Sequence, residues 1–210
     1  MNKRISQLMQ CLFKTTKHKG HGNTVLGKKT GFYKCKFKYK GANNKIEVNN
    51  SIFYKCSFHF FGANNNVTIG SGCILKNVDF WIEGNCNNIC IGNNCNFQGT
   101  AQLACLEGKS IIIGNNALIS SDVYFRTGDS HGVFNLQNKR INYAKNIEIG
   151  NNVWICQKVT LLKGTIINSN CVVALGSIVT KQFEQTNCVI GGNPAKIIKS
   201  NINWDPKLHL

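Results

Sequence analysis

"IEIGNNVWICQKVTLLKGTIINSNCVVALGSIVTK", residues 147–181, decides the fold. Ile149, Ile155, Leu161, Ile167, Val173 and Val179 recur in it at six-residue intervals. The first five are each followed, four residues on, by a smaller side chain: Val153, Val159, Thr165, Cys171 and Ser177. A helix would repeat its apolar positions about every 3.6 residues, and a lone strand every second residue. Six residues make one short strand plus one corner. If the large aliphatic points to a common axis and the small residue fills the corner, three units close a triangular coil. Stacked coils then bury one continuous core. The period predicts an all-β solenoid, a parallel β-helix.

Upstream the same grammar continues in a longer period. "GANNKIEVNN" (41–50), "GANNNVTIGS" (62–71), "GNCNNICIGN" (84–93) and "GKSIIIGNN" (108–116) each join a polar turn to a short apolar strand. Their anchors Val48, Ile69, Ile91 and Ile113 recur about every 22 residues, a solenoid-type spacing. "YKCKF" (33–37) and "YKCSF" (54–58) echo each other in the same way. These longer coils are expected to bulge at one corner. Ile5, Leu8, Met9, Leu12 and Phe13 fall on one helical face. They predict a capping helix over 1–19 that closes one end of the solenoid, with the surface of the inner membrane as an alternative contact. Residues 20–199 form the β-helix, and 200–210 a C-terminal tail.

Composition narrows the classes. With 42% hydrophobic residues and only 2 Pro, the chain is not a disordered one. The 25 Lys+Arg against 9 Asp+Glu give a formal charge of +16, a field that attracts anions. The 11 Cys are odd in number, form no CxxC pair, and fall at Cys73, Cys95 and Cys171 where other repeats carry small apolar residues. They read as core thiols of a reducing compartment. The basic N-terminus has no continuous apolar run, so a cytoplasmic location is expected.

The six-residue register fails in one place, "RTGDSHGVFNLQNKRINYAK" (126–145). A break of that length in a solenoid is usually functional or disordered, and it holds one of only five His. The downstream motifs are recognisable. "IEIGNNVWI", the K-G corner, "GSIVTK" and "NCVIGGNPAKIIKS" resemble the left-handed β-helix acyltransferases of the hexapeptide-repeat superfamily. "DSH" followed by "RIN" is most similar to bacterial capsule O-acetyltransferases of the polysialic acid type.

That resemblance implies a homotrimer that transfers acetyl from acetyl-CoA to a sugar hydroxyl of a surface polysaccharide, capsule or O-antigen. The active site would lie between adjacent β-helices, where a protruding loop meets the neighbour. It makes His131 the general base, needed because a sugar hydroxyl is a poor nucleophile at neutral pH. Asp129, two residues earlier, would share a face with His131 in an extended segment and could orient its ring; a turn-forming role is the alternative. Glu148 is a rival for the same task. Trp154 points outward and would line the acetyl-CoA or acceptor site, or a subunit interface. Ala174, Ser177, Thr180, Lys181, Pro194 and Lys199 match the family's coenzyme-A contacts, the two lysines facing phosphates. Two positions depart from the pattern: Cys156 replaces a glycine, and Lys199 stands where arginine is common. No metal is required, because His18, His21, His59 and His209 lie outside the strict coils.

Three other readings stay open. One is N-acetylation of an amino or nucleotide sugar; another is a glycan-binding β-helix without catalysis. A nucleic-acid binder rests on charge and on the aromatics of "FYKCKFKYK" (32–40) alone. The positive field favours an anionic acceptor, a polysialic or uronic-acid polymer, over a neutral O-antigen.

Overall fold

The computed structural model of the chain describes residues 21–207. The capping helix expected over 1–19 lies outside them. Among the described residues there are strands and turns and no helix. The first coil consists of Thr24–Lys28, Gly31–Tyr33 and Lys36–Tyr39, and six more three-stranded coils stack on it. The strands sort into three sheets of eight, nine and seven members, parallel except for the last strand of the second, which form the first, second and third faces of a triangular prism. The sixth coil shows the pattern: Ile147–Ile149, Trp154–Ile155 and Thr160–Leu162.

The hexapeptide anchors occupy the axis. Ile155, Leu161, Val173 and Val179 are fully buried, and so are the corner residues Val153, Val159, Thr165, Cys171 and Ser177. The longer repeat is in the same register: Val48 pairs with Ile69, Ile69 with Ile91, Ile91 with Ile113, and Ile113 with Ile149. Early coils gain their extra length on the third face, whose strands run to six residues (Val78–Glu83, Ala101–Leu106), and at the corner after it.

That corner holds a column of buried asparagines. The side-chain amide of Asn44 donates to Asn23 Oδ1, Asn65 to Asn44 Oδ1, and Asn87 to Asn65 Oδ1, each at 2.9 Å. The same oxygens accept the next coil's backbone N–H at 2.8–3.1 Å. A buried amide is stabilising only when its donors and acceptors are met, and stacking identical residues meets them.

Asparagine also makes the turns. Asn43, Asn64, Asn94, Asn116, Asn152 and Asn170 adopt left-handed φ between 53° and 62°, a region Asn enters more readily than other side chains. The glycine of each I-x-I-G unit answers a different demand, since a Cβ on Gly114 would lie 2.7 Å from the backbone of Gly150. The ten cysteines among the described residues are all free thiols. In "FYKCKFKYK", Phe32, Phe37 and Tyr39 turn into the core while Lys36 and Lys38 face outward. Strand alternation thus removes three of the four aromatics that a base-stacking surface would need.

Two features depart from a plain stack. The segment between Val123–Arg126 and Ile147–Ile149 leaves the prism at the corner between third and first faces. At the far end, Ala195–Lys199 turns back and pairs antiparallel with Val189–Gly192 on the second face. The tail beyond it does not hang free. Ile202 N–H donates to Asn187 O at 3.0 Å, and Trp204 Nε1 to Asn152 O at 2.9 Å.

Candidate active site

The excursion at 127–146 is a small hairpin on a clamped base. Its arms meet through a bridge between Phe134 and Arg140 and through Ile141 N–H donating to Val133 O at 2.8 Å. The base is anchored inward by buried Thr127, whose hydroxyl accepts from Leu106 N–H at 2.8 Å. Ala144 is buried beside it.

Ion pairs fasten the base to the coils on both sides. Arg140 Nη2 lies 2.6 Å from Glu107 Oε1, on the coil below. Lys163, on the coil above, pairs with Asp129. The hydrogen bond from Arg140 holds the Glu107 carboxyl below the usual carboxylate range, and that from Lys163 does the same for Asp129. Asn142 locks the centre. Its Nδ2 donates to Asp129 Oδ2 at 2.8 Å and to the backbone carbonyl of His131 at 2.7 Å. Its Oδ1 accepts from Val133 N–H at 2.7 Å, and its own carbonyl accepts from Lys163 Nζ at 3.1 Å.

His131 is therefore held by its main chain, and its ring stands exposed in solvent. Asp129 does not reach that ring: its carboxylate is taken by Lys163 and Asn142. Glu148 lies on the outer side of Ile147–Ile149, half-buried, and makes no hydrogen bond to His131. Beyond His131 the hairpin exposes Phe134 (56%), Leu136 (101%) and Ile141 (60%), a concentration of apolar surface that nothing among the described residues covers.

The other expected site residues are spread around the prism. Trp154 is on the second face, opposite the corner that carries the hairpin, so one chain does not bring it near His131. It is half-buried, with its indole N–H 3.4 Å from Ser120 Oγ and its ring 6.0 Å from that of Trp204. The tail thus supplies the cover that an outward tryptophan needs. Ala174 and exposed Pro194 lie at the corner between second and third faces. Exposed Thr180 and Lys181 lie on the hairpin's corner, two coils beyond it, with Lys181 against the Phe183 ring at 5.3 Å. Lys199, paired with Val189, stands at another corner. The two lysines expected to share the phosphates are therefore apart within one chain.

Ser177 turns its side chain inward. It is fully buried, donating to Ala174 O at 2.6 Å and accepting from Gly192 N–H at 3.2 Å. Its hydroxyl closes the turn from inside, so its part in any ligand site is to shape that turn. Among the described residues, no group of three or more His, Cys, Asp or Glu side chains is placed to hold a metal ion.

No protein-family model matches the chain. The crystal structure of the polySia specific acetyltransferase NeuO superposes with a TM-score of 0.83 at 31% identity, covering 90% of this chain and 87% of that one. The chain belongs to the left-handed β-helix acetyltransferases of the hexapeptide-repeat family. The polysialic acid O-acetyltransferase of Escherichia coli O1:K1 / APEC is 40% identical over 96 residues, which are 45% of this chain and 31% of that protein. Matches to the first curated relatives span between about a third and about half of their length. A galactoside acetyltransferase in complex with coenzyme A superposes with a TM-score of 0.50 at 27% identity, covering 64% of each chain.

As a hexapeptide-repeat acetyltransferase, the chain has three further residues at its site that its linear reading passed over. Asn142 closes "RIN" and Lys163 is the lysine of the K-G corner, so a motif marked both positions without indicating their partner. Trp204 belongs to the expected C-terminal tail, 200–210, where no motif marks it. Their contacts join residues 13, 34 and 52 positions apart.

Proposed function

We propose that the chain transfers an acetyl group from acetyl-CoA to a hydroxyl of an anionic bacterial surface polysaccharide, with His131 as general base. The observation that carries this reading is the presentation of His131: a rigid backbone mount, a ring left open, and a clamp on each side. An imidazole nitrogen takes the proton of the acceptor hydroxyl, and the oxygen attacks the thioester carbonyl carbon. Backbone N–H groups stabilise the resulting oxyanion. The C–S bond breaks, the acetyl stays on the sugar oxygen, and the imidazolium returns its proton to the CoA thiolate. Asp129 acts on His131 at one remove, through Asn142.

The site is completed by a second copy. The bare apolar hairpin calls for cover, and a closed trimer supplies it by setting one subunit's hairpin against the next subunit's second face, where Leu118, Trp154 and Val172 are each partly exposed in one column. Acetyl-CoA fits the turn 174–177, where a Cβ on exposed Gly176 would meet nothing within 4 Å, so a pantetheine chain has room against the backbone. Thr180 and Lys181, one strand away, would hold its phosphate end, with Lys199 and Pro194 at the exit. Free thiols throughout the core suit a reducing cytoplasm. Among the described residues, no helix is long and apolar enough to cross a membrane.

The test is acetyl transfer from acetyl-CoA to a panel of capsular glycans, followed by thiol release and mass spectrometry. Transfer by the wild type and its loss in His131→Ala with unchanged melting is the expected result. Retained turnover in His131→Ala overturns the assignment of the base.

A further inference from the structure

The third face, between the hairpin and the first coil, carries an outer surface that the reaction just described does not use. Along its middle column Lys38, His59, Trp81, Ala104 and Arg126 lie in register on successive coils. Phe61 packs beside Trp81 with ring centroids 4.6 Å apart, and His59 lies 5.6 Å from Trp81. Lys38 and Lys40 sit over the Phe61 ring at 5.4 and 5.5 Å.

The two carboxylates on this surface are engaged. Asp79 lies 3.4 Å from His59 Nε2 and accepts from Gln102 Nε2 at 2.9 Å; Glu83 accepts from Trp81 Nε1 at 3.1 Å. Lys36, Lys38 and Lys40 are exposed, so positive charge dominates this end of the face.

The column has one gap. Ala104 stands between Trp81 and Arg126, and its small side chain leaves a cavity of about 270 Å³ above it, lined by Trp81, Glu83, Gln102, Arg126 and Ser130. Arg126 Nη2 is 3.3 Å from Ser130 Oγ, and Ser130 is the neighbour of His131. An aromatic platform, a row of cations and a notch therefore run in line to the general base. Coils in parallel register stack about 4.8 Å apart, so Lys38 to Arg126 spans roughly 19 Å, room for several sugar rings.

We propose that this face is an acceptor track that holds an anionic glycan chain along its length and feeds its sugars to His131. The ring of Trp81, braced by Phe61, takes the apolar face of a pyranose, Lys36, Lys38 and Lys40 take the carboxylates, and the notch over Ala104 seats the sugar nearest the reacting one. The inference rests on the transferase reading above and adds where the polymer is held: on the third face, by named side chains that the transfer itself does not use.

Two measurements separate the track from that reading. The first is equilibrium binding of a long sialic-acid polymer, without acetyl-CoA, to wild type, Trp81→Ala, Trp81→Phe and Lys38→Ala/Lys40→Ala. The second is transfer kinetics on the same polymer and on free sialic acid. The expected result is polymer binding and polymer KM weakened about tenfold, near 1.4 kcal/mol, in Trp81→Ala and in the double variant, with Trp81→Phe near wild type. The KM for acetyl-CoA and turnover of free sialic acid stay unchanged. Polymer binding through Trp81 without transfer to any glycan would reject the transferase reading and keep the track. Transfer with polymer bound equally by all four proteins would reject the track and keep the transferase. Equal losses on short and long acceptors, a change of assembly mass in Trp81→Ala, or displacement of the polymer by far less single-stranded DNA would each overturn the track as well.

Discussion

Coils one to four and coils six and seven build one prism by different means. The early coils repeat every 21 or 22 residues and the later ones every 18 or fewer. A longer perimeter encloses a wider interior, and interiors are filled to crystal-like density. The early coils fill theirs with aromatic rings: Phe37, Phe58 and Phe80 stack at 5.0 and 4.5 Å, nearly parallel, and Tyr39 stacks on Phe60 at 5.2 Å. The late coils put Leu161 and Val179 in the same column, and valine, threonine, cysteine or serine at the corners. The extra perimeter is spent on the third face, where it lengthens the strands that carry Phe61, Trp81 and Glu83. The chain thus pairs a tight section carrying the proposed coenzyme-A positions with a broad one carrying the aromatic and basic surface, and the hairpin of His131 emerges where the two meet.

The largest expected effect breaks the division at that junction. His131→Ala lowers kcat by about 10²–10⁴-fold, the range for loss of a general base, and leaves the melting temperature unchanged. Next come the cores. Phe58→Ala, in the middle of a ring stack, costs about 3–5 kcal/mol in denaturant unfolding, and Leu161→Ala about 2–5. A cost for Leu161→Ala clearly above that of Phe58→Ala would contradict the account of a wide aromatic section and a narrow aliphatic one. Asn65→Leu removes the central rung of the asparagine column: the backbone N–H and side-chain amide of Asn87 lose the Asn65 Oδ1 acceptor, and Gly84 O and Asn44 Oδ1 lose the Asn65 amide donor, Asn44 Oδ1 keeping only the backbone N–H of residue 65. It costs about 1–3 kcal/mol for each buried group left unpaired, whereas the exposed Asn85→Leu costs far less.

Smaller effects sharpen the role of the clamp. Asn142→Ala lowers kcat about tenfold, near 1.4 kcal/mol or one good hydrogen bond, with KM for acetyl-CoA constant and the hairpin cut faster by protease. The smallest is a pH effect. The Asp129 and Glu107 carboxyls are both depressed by their cationic partners, so their contribution is full above the ordinary carboxylate range, about 4, and is lost as pH falls through their lower folded values. Protease resistance of the hairpin therefore stays level from pH 8 to pH 5 and falls only below about 4. A loss already at pH 6 would show that the ion pairs are not what holds it.

How far the sequence disclosed this molecule depends on the distance over which each contact acts. The axis residues from Ile149 to Val179 and the corners between them were legible because each coil repeats the same local demand. The break at 126–145 was legible for the same reason, as the one place where that demand is dropped. The partners of Asp129 were not. Proximity to His131 suggested a pairing, but Ser130 between them takes a left-handed φ of 65° and breaks the extended alternation, the Asp129 carboxylate pairs with Lys163, and only the stacking of coils brings those residues together. Trp154 was correctly placed on the outside, while its cover, Trp204, comes from a segment that reads as an unstructured tail. Lys181 and Lys199 look alike in sequence, yet the return of Ala195–Lys199 along the second face sets them on different corners.

That returning strand has a consequence for solubility. A stack of parallel coils ends in bare ladder edges, on which another copy could build without limit, as in a cross-β filament. Ala195–Lys199 runs antiparallel over the last strand of the second face and presents Lys196 and Lys199 beyond it. The next coil in that position would need a parallel strand in hexapeptide register, and it meets one of the wrong polarity edged with charge. On that face, growth of the solenoid stops at a single molecule.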